Sequence, residues 1–237
     1  MGLISAESAN GLYNIQISSY GDALKTSATA YAFSKDDLII ACDDERVKEA
    51  AVGFGAKVVM TAKAHATGTD RICEVINPLE VRIVINIQAD EPLVHPTMIN
   101  SVARALTEER GIAIATIVKK ITTPEALFDP NVIKVALDKS NFALYFSRAT
   151  IPYHAANSDI KVPVYYKHIG LYGYTKDFLF TFKNLPPSPL EKTERLEQLR
   201  ILEAGFRIKV IETQFDTIGV DTPADLTLVK EHLASHA

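Results

Sequence analysis

A chain of 237 residues holds either one large domain or a main domain with a smaller insertion, and the second arrangement is expected here. With 47% hydrophobic and 23% charged residues, and no apolar run near the roughly 20 residues of a membrane helix, it reads as a soluble globular protein without membrane insertion. A net charge of −4 argues against a nucleic-acid surface and leaves room for a local phosphate pocket, so a small-molecule ligand is expected.

From residue 38 onward, short apolar runs alternate with amphipathic stretches, the pattern of β-α-β units and a mostly parallel sheet. A strand at 38–42 leads through Asp43-Asp44 to a helix at 45–54, closed by Gly55. A strand at 57–60, a polar loop at 61–69 and a helix at 70–76 follow, the helix stopped by Asn77-Pro78. A strand at 82–88, a helix at 96–110 opening on Pro96, and a strand at 112–119 complete a doubly wound layout. Cys42 and Cys73 fall within these elements and read as small buried hydrophobes. The middle differs. Runs at 132–137, 143–146 and 165–174, with Asp138-Lys139-Ser140-Asn141 between the first two, predict hairpin pairing. A proline-rich connection at 185–189 precedes a charged helix at 191–203, a strand at 207–213 and a last helix at 223–233.

In open α/β sheets ligands gather beyond the carboxyl ends of strands, which draws attention to Gln88-Ala89-Asp90-Glu91-Pro92. Magnesium takes a few hard oxygens and keeps water and substrate phosphate in its shell, so Asp90 is the leading ligand candidate. Taken alone, an Asp-Glu-Pro string is more readily a turn or helix cap, and it is a second carboxylate that favours the metal reading. Asp221, in Ile218-Gly219-Val220-Asp221-Thr222-Pro223, occupies a second strand-to-helix corner and is the candidate partner carboxylate, with an N-cap as its plainer reading. Such a pair would let a metal ion neutralise a triphosphate while a hydroxyl displaces diphosphate in line. Thr67-Gly68-Thr69-Asp70-Arg71 opens a helix whose free N–H groups suit anions. Arg148 ends an apolar strand where its fork can meet a carboxylate. Along 167–174, alternation puts His168, Gly170, Tyr172 and Tyr174 on one face suited to a sugar. Glu194, Glu197 and Gln198 are spaced to share a helix face.

These pieces, in this order, resemble the 3-deoxy-manno-octulosonate (Kdo) cytidylyltransferases, or CMP-Kdo synthetases, of lipopolysaccharide biosynthesis. The matching strings are 41–47, Gly68-Thr69-Asp70-Arg71, 86–93, 143–148, 168–174, 187–202 and 219–226, so the likeness runs from about residue 36 to the C-terminus. The resemblance implies a Rossmann-like sheet of the nucleotide-diphospho-sugar transferase type. Residues 1–237 would form one nucleotidyltransferase domain, with about 130–190 as an inserted, antiparallel dimerisation and sugar-binding subdomain. It implies a magnesium-dependent, cytoplasmic homodimer that transfers CMP from CTP to Kdo and releases diphosphate. Asp90 and Asp221 would hold the metal as catalytic residues, with Arg71 and Gln88 on the nucleotide side. Arg148 would meet the Kdo carboxylate, and His168, Tyr172, Glu197 and Gln198 would line the sugar pocket.

The chain departs from the family pattern at two places. Ala89 stands where the family carries glycine. Residues 1–34 contain one basic residue, Lys25, and scattered glycines at 2, 11 and 21, where the family has a loop of Arg, Ser, Gly and Lys around the triphosphate. Enclosing a triphosphate without those cations is costly. Two expectations follow: an active cytidylyltransferase, or an impaired relative that folds and binds sugar acid without turnover. A shifted coding frame over the first codons would also produce the abrupt change near residue 35.

Overall fold

The computed structural model describes residues 2–4, 13–17, 26–30, 38–65, 67–88, 90–156, 158–220 and 222–234. Among them, nine strands form one sheet. Its main path runs β11 (Lys209–Glu212), β7 (Ile114–Lys120), β10 (Tyr166–Thr175), β6 (Ile83–Gln88), β1 (Gly2–Ile4), β4 (Ile39–Cys42), β5 (Lys57–Met60). A hairpin of β8 (Lys134–Leu137) and β9 (Ala143–Ser147) joins through β8 to β10. Strands β4, β5, β6, β7, β8 and β11 run one way, and β1, β9 and β10 run the other. The sheet is thus mostly parallel in strand direction, as the alternating pattern predicted. A separate pair, β2 (Tyr13–Ile17) and β3 (Thr26–Ala30), is antiparallel.

Both faces of the sheet are covered, which is why its strands read as nearly unbroken apolar runs. Side chains alternate with period two. Ile83, Ile85 and Ile87 of β6, with Ala115 and Ile117 of β7, pack with Met98, Ile99, Val102 and Leu106 of α3 (Pro96–Glu108). On the other face Val84, Ile114 and Val118 join Ile72 and Ile76 of α2 (Gly68–Ile76), Phe178 and Phe182 of α5 (Lys176–Lys183), and Leu199 and Ile201 of α7 (Gln198–Glu203). Gly173 lies under α3, where a Cβ would come within 2.3 Å of Val102 Cγ1. Glycine there lets helix and strand approach closely.

Local signals act as the sequence predicts at several ends. Asp44 caps α1 (Glu45–Gly53), accepting from the Arg46 amide at 2.9 Å, and Thr67 caps α2, accepting from the Asp70 amide at 3.2 Å. The Asp138 carboxylate accepts from the amides of Ser140 and Phe142, both at 2.8 Å, and turns β8 into β9. One expectation fails. The helix predicted over 191–203 is two short helices, α6 (Pro189–Glu194) and α7, because Arg195 is left-handed at φ 56° and ψ 47°. A Ser188 and Glu191 capping box starts α6, and the turn at Arg195 lets both Leu196 and Leu199 reach the core. Glu194 therefore shares no helix face with Glu197 and Gln198. Two helices not predicted are α5, capped by Thr175, and α4 (Pro124–Phe128), capped by Thr123. The last helix, α8 (Pro223–Ala234), is as expected.

Candidate active site

The sheet register builds a polar row across three strands. Tyr172 of β10 pairs with Asn86 of β6 on one side and Thr116 of β7 on the other. All three are buried, in a layer otherwise filled by apolar side chains. His168 extends the row, its ring 5.1 Å from Tyr172 and edge-on to Phe146 at 5.3 Å. A bulge between Ile169 and Tyr172 does not separate the two rings. Glu197 at the head of α7 receives the Thr69 hydroxyl at 3.1 Å, tying α2 to α7 over the row.

Hydrogen-bond bookkeeping fixes the state of His168. Thr116 Oγ1 lies 2.9 Å from both His168 Nε2 and the Leu171 carbonyl oxygen. A carbonyl only accepts, so the single hydroxyl hydrogen goes to Leu171, and Nε2–H of a neutral imidazole donates to Thr116. Nδ1 is left as an acceptor. Burial pushes the imidazole down to about 3, so it is neutral at neutral pH. Burial also raises the Tyr172 hydroxyl well above its ordinary value, with the Glu197 charge adding to the effect, and raises the Glu197 carboxyl. Four buried polar atoms have no hydrogen-bond partner among the described residues: Asn86 Oδ1, Tyr172 OH, Glu197 Oε1 and Glu91 Oε2. Three of the four are acceptors only, and leaving such groups unpaired costs about 1–3 kcal/mol each.

Beyond the end of β6, Asp90 is exposed, and its carbonyl accepts from the Val220 amide at 2.8 Å. That bond brings the corner before α8 to the Asp90 turn. Gln88 is half-buried at the strand end, its carbonyl receiving the Glu91 amide at 3.1 Å. Glu91 is half-buried, and the burial of its carboxyl raises it, while the Thr217 side chain and the Gly170 amide oppose the shift. Asp221 and Ala89 lie outside the described residues, as do most of residues 1–37, including Lys25, Gly11 and Gly21. No three His, Cys, Asp or Glu side chains cluster for a metal among the described residues.

The two arginines are held by their own chain. Arg71 donates to Asp43 Oδ2 at 2.5 Å and to the Thr61 hydroxyl, at the carboxyl ends of β4 and β5. Arg148 Nε donates to the Glu194 carbonyl at 2.9 Å, and Nη1 to the Pro130 carbonyl at 3.0 Å. Glu194 locks the end of β9 with both carboxylate oxygens, one accepting from the Ser147 hydroxyl at 2.6 Å and the other from the Arg148 amide at 2.9 Å. Lys134, fully buried, donates to the carbonyls of Asp129 and Val132 at 2.8 and 2.7 Å, so it and Arg148 both hold the 129–132 loop.

Of the residues predicted for a site, His168, Tyr172 and Glu197 come together, and Gln198 is buried one residue beyond Glu197 in the first turn of α7. Gln88 and Asp90 lie beside them through Glu91 and Gly170, since a Cβ on Gly170 would be 3.5 Å from Gln88 Cγ and 3.6 Å from Glu91 Oε1. Arg148 meets this group through Phe146, two residues before it and against His168. Thr116 and Lys134 were not singled out from the sequence, Asn86, Thr69 and Glu91 were read only inside longer strings, and Glu194 was read only as sharing a helix face with Glu197 and Gln198. Asn86 and Thr116 carried one available signal, each being a polar residue inside an otherwise apolar strand.

Comparison with known proteins places this geometry in a family. Residues 24–211 match the family model described as cytidylyltransferase. A 3-deoxy-manno-octulosonate cytidylyltransferase from Geobacter metallireducens is 45% identical over 214 residues, 87% of this chain and 84% of that one. One from Solibacter usitatus is 49% identical over 191 residues, 81% of this chain and 75% of that one. The solved structure of a CMP:2-keto-3-deoxy-manno-octonic acid synthetase complexed with CTP superimposes with a TM-score of 0.77 at 38% identity, covering 84% of this chain and 81% of that one. An inositol-1-phosphate CTP transferase from T. maritima, 17% identical with a TM-score of 0.54 over 83% of this chain and 74% of that one, shares the fold. With identities of 45–49% over most of the chain and the same fold beneath them, this chain belongs to the 3-deoxy-manno-octulosonate cytidylyltransferases, a family of nucleotidyltransferases.

Proposed function

We propose that this chain transfers CMP from CTP to the anomeric hydroxyl of Kdo, releasing diphosphate, in the cytoplasm and with magnesium. The observation that carries the reading is the row of buried oxygens without a hydrogen-bond partner among the described residues at the ligand end of the sheet: Asn86 Oδ1, Tyr172 OH and Glu197 Oε1, the last with only the Arg200 guanidinium at 3.9 Å. Together with the His168 Nδ1 lone pair they form a set rich in acceptors, and a polyhydroxylated sugar acid brings the donors that set lacks. Arg148 would meet the sugar carboxylate, steadied by Glu194. Gln198 would complete the sugar pocket, and Gln88 and Arg71 would face the nucleotide. Arg71 is oriented for this by Asp43 and Thr61.

The donor set suits a hard divalent cation, since Asp90 offers an exposed carboxylate beside the Val220 amide tie and Asp221 follows Val220 in sequence. When bound, such an ion supplies charge neutralisation for the triphosphate and polarises the phosphorus under attack. The chain's own part is to hold the two substrates in line and to keep water from the buried row. We further propose that the enzyme is a homodimer formed through the strand-rich segment at 130–190. Tyr153, Val162 and Ile160 there expose apolar surface, as does nearby Phe128, and Tyr153 is 88% exposed.

Diphosphate release measured with purified chain should require CTP, Kdo and magnesium together. Asp90→Ala should lower turnover by at least about 100-fold, the scale at which a transition-state charge stabiliser is lost. Normal turnover in that variant would refute the metal assignment, and a wild-type chain that binds Kdo without releasing diphosphate would refute the activity.

A further inference from the structure

Lys119 of β7 and Lys167 of β10 are directly opposed in the antiparallel ladder. Like charges in that position destabilise a sheet, and both side chains are only 23% exposed. Asp216 sits between them, its Oδ2 receiving Lys119 Nζ at 2.8 Å and its Oδ1 receiving Lys167 Nζ at 2.5 Å. Burial opposes the charge on Asp216, and the two ammonium donors outweigh it and hold the carboxyl below its ordinary range.

Asp216 belongs to the segment 213–220 that runs from β11 towards α8. That segment is tied to the Asp90 turn at three further points. The Phe215 ring stacks on His95, centroids 3.6 Å apart and 5° from parallel. His95 is the N-cap of α3, directly after the turn. The Thr217 side chain lies close enough to the Glu91 carboxyl to lower it, and the Val220 amide donates to the Asp90 carbonyl. At its start, the Thr213 amide donates to the Val118 carbonyl, one residue from Lys119.

We propose that Asp216 is a positioning residue: by bridging the opposed Lys119 and Lys167 it seats the 213–220 segment against the Asp90 turn and sets the spacing of the two carboxylates that take the cation. This inference rests on the reading that Asp90 and Asp221 hold that cation. Asp216 itself lies on the face of the sheet away from the sugar row and acts through the segment. Half-exposed ion pairs are individually weak, so the effect is graded.

The test uses the full chain with CTP and measures free Mn2+ by electron paramagnetic resonance, alongside the magnesium dependence of diphosphate release. Asp216→Asn should raise the half-saturating Mn2+ concentration about three- to tenfold, the range set by losing two partly exposed pairs, while KM for Kdo stays within about twofold. Asp216→Glu should recover much of the loss. In a chain already carrying Lys119→Met and Lys167→Met, adding Asp216→Asn should change Mn2+ binding no further. Unchanged Mn2+ affinity in Asp216→Asn, or an undiminished effect in the lysine-free background, overturns the inference. Asp90→Ala separates the two ideas: if it leaves Mn2+ binding intact, the cation reading itself fails, whereas if it abolishes binding and Asp216→Asn does nothing, only the positioning role fails.

Discussion

Replacing Gly173 by alanine should destabilise the chain out of proportion to one methyl group. The added Cβ would lie 2.3 Å from Val102 Cγ1, 2.6 Å from Leu106 Cδ1 and 3.1 Å from Ile85 Cδ1. Carbon atoms in contact sit about 3.5–4.0 Å apart, so α3 has to retreat from β10 by about an ångström at two successive turns. Neither helical residue has free space to turn into, Val102 being fully buried and Leu106 nearly so in the core that α3 builds with β6, β7 and β10. Overpacking costs about 1–3 kcal/mol, and displacement of a whole helix puts this case near 3. For a chain of this size about 3 kcal/mol corresponds to a fall in Tm of about 6–12 °C. Urea unfolding followed by far-ultraviolet circular dichroism suits a chain with no tryptophan. Gly53→Ala is the control, because a Cβ there meets nothing within 4 Å and a helical alanine is favoured by about 0.5–1 kcal/mol. A Gly173→Ala chain within about 1 kcal/mol of wild type would refute the close-packing account.

Two further outcomes follow from the site. The folded His168 stays neutral to about pH 3, while an unfolded histidine takes up its proton near 6.5. Stability is therefore complete above about pH 6.5 and falls towards acid by up to about 1.4 kcal/mol per unit, with His95, also lowered by burial, acting in the same direction. Urea midpoints from pH 7 to 5 should fall, and His168→Asn should reduce that slope by about one proton; an unchanged slope refutes the neutral, buried assignment. Glu194→Ala frees Ser147 and Arg148 together, so KM for Kdo should rise about tenfold or more while KM for CTP moves by less than about twofold. Equal changes in both would show that Glu194 holds the general fold and not the sugar end of the site.

What the sequence made legible was local. The strand at 114–120 was readable because Ile114, Ala115, Thr116, Ile117 and Val118 are all buried, and a strand covered on both faces looks apolar throughout. The ends of α1 and α2 were readable because a side chain two or three residues away satisfies the free amides. The break at Arg195 was hidden, since nothing in Glu194-Arg195-Leu196 forbids a helix. The left-handed turn accompanies ties made elsewhere, by Glu194 to the end of β9 and by Glu191 to Arg200, whose Nη2 lies 2.5 Å from Glu191 Oε1. Nor could the sequence pair Tyr172 with Asn86 and Thr116, or Lys167 with Lys119, because register is a long-range property. Lys134 was read only as part of a strand, yet it is fully buried with its ammonium on two carbonyls.

The direction of β10 explains why so much of the candidate site comes from one strand. A parallel sheet offers ligands only the carboxyl ends of its strands. Running against β6 and β7, β10 brings its earlier residues to that same end, with Leu171 opposite Ile87 and Lys167 opposite Lys119. Alternation then divides those residues between the faces. His168 and Tyr172 turn towards Asn86, Thr116 and Glu197, while Lys167 turns towards Asp216 on the α3 side. Between them the bulge leaves the Gly170 amide facing Glu91 at 3.5 Å, next to Asp90. A single antiparallel strand therefore touches the sugar row, the Asp90 turn and the segment leading to Asp221. Substitutions in residues 167–172 should accordingly perturb more than one of these at a time, whereas those at Glu194 or Asp216 act on one.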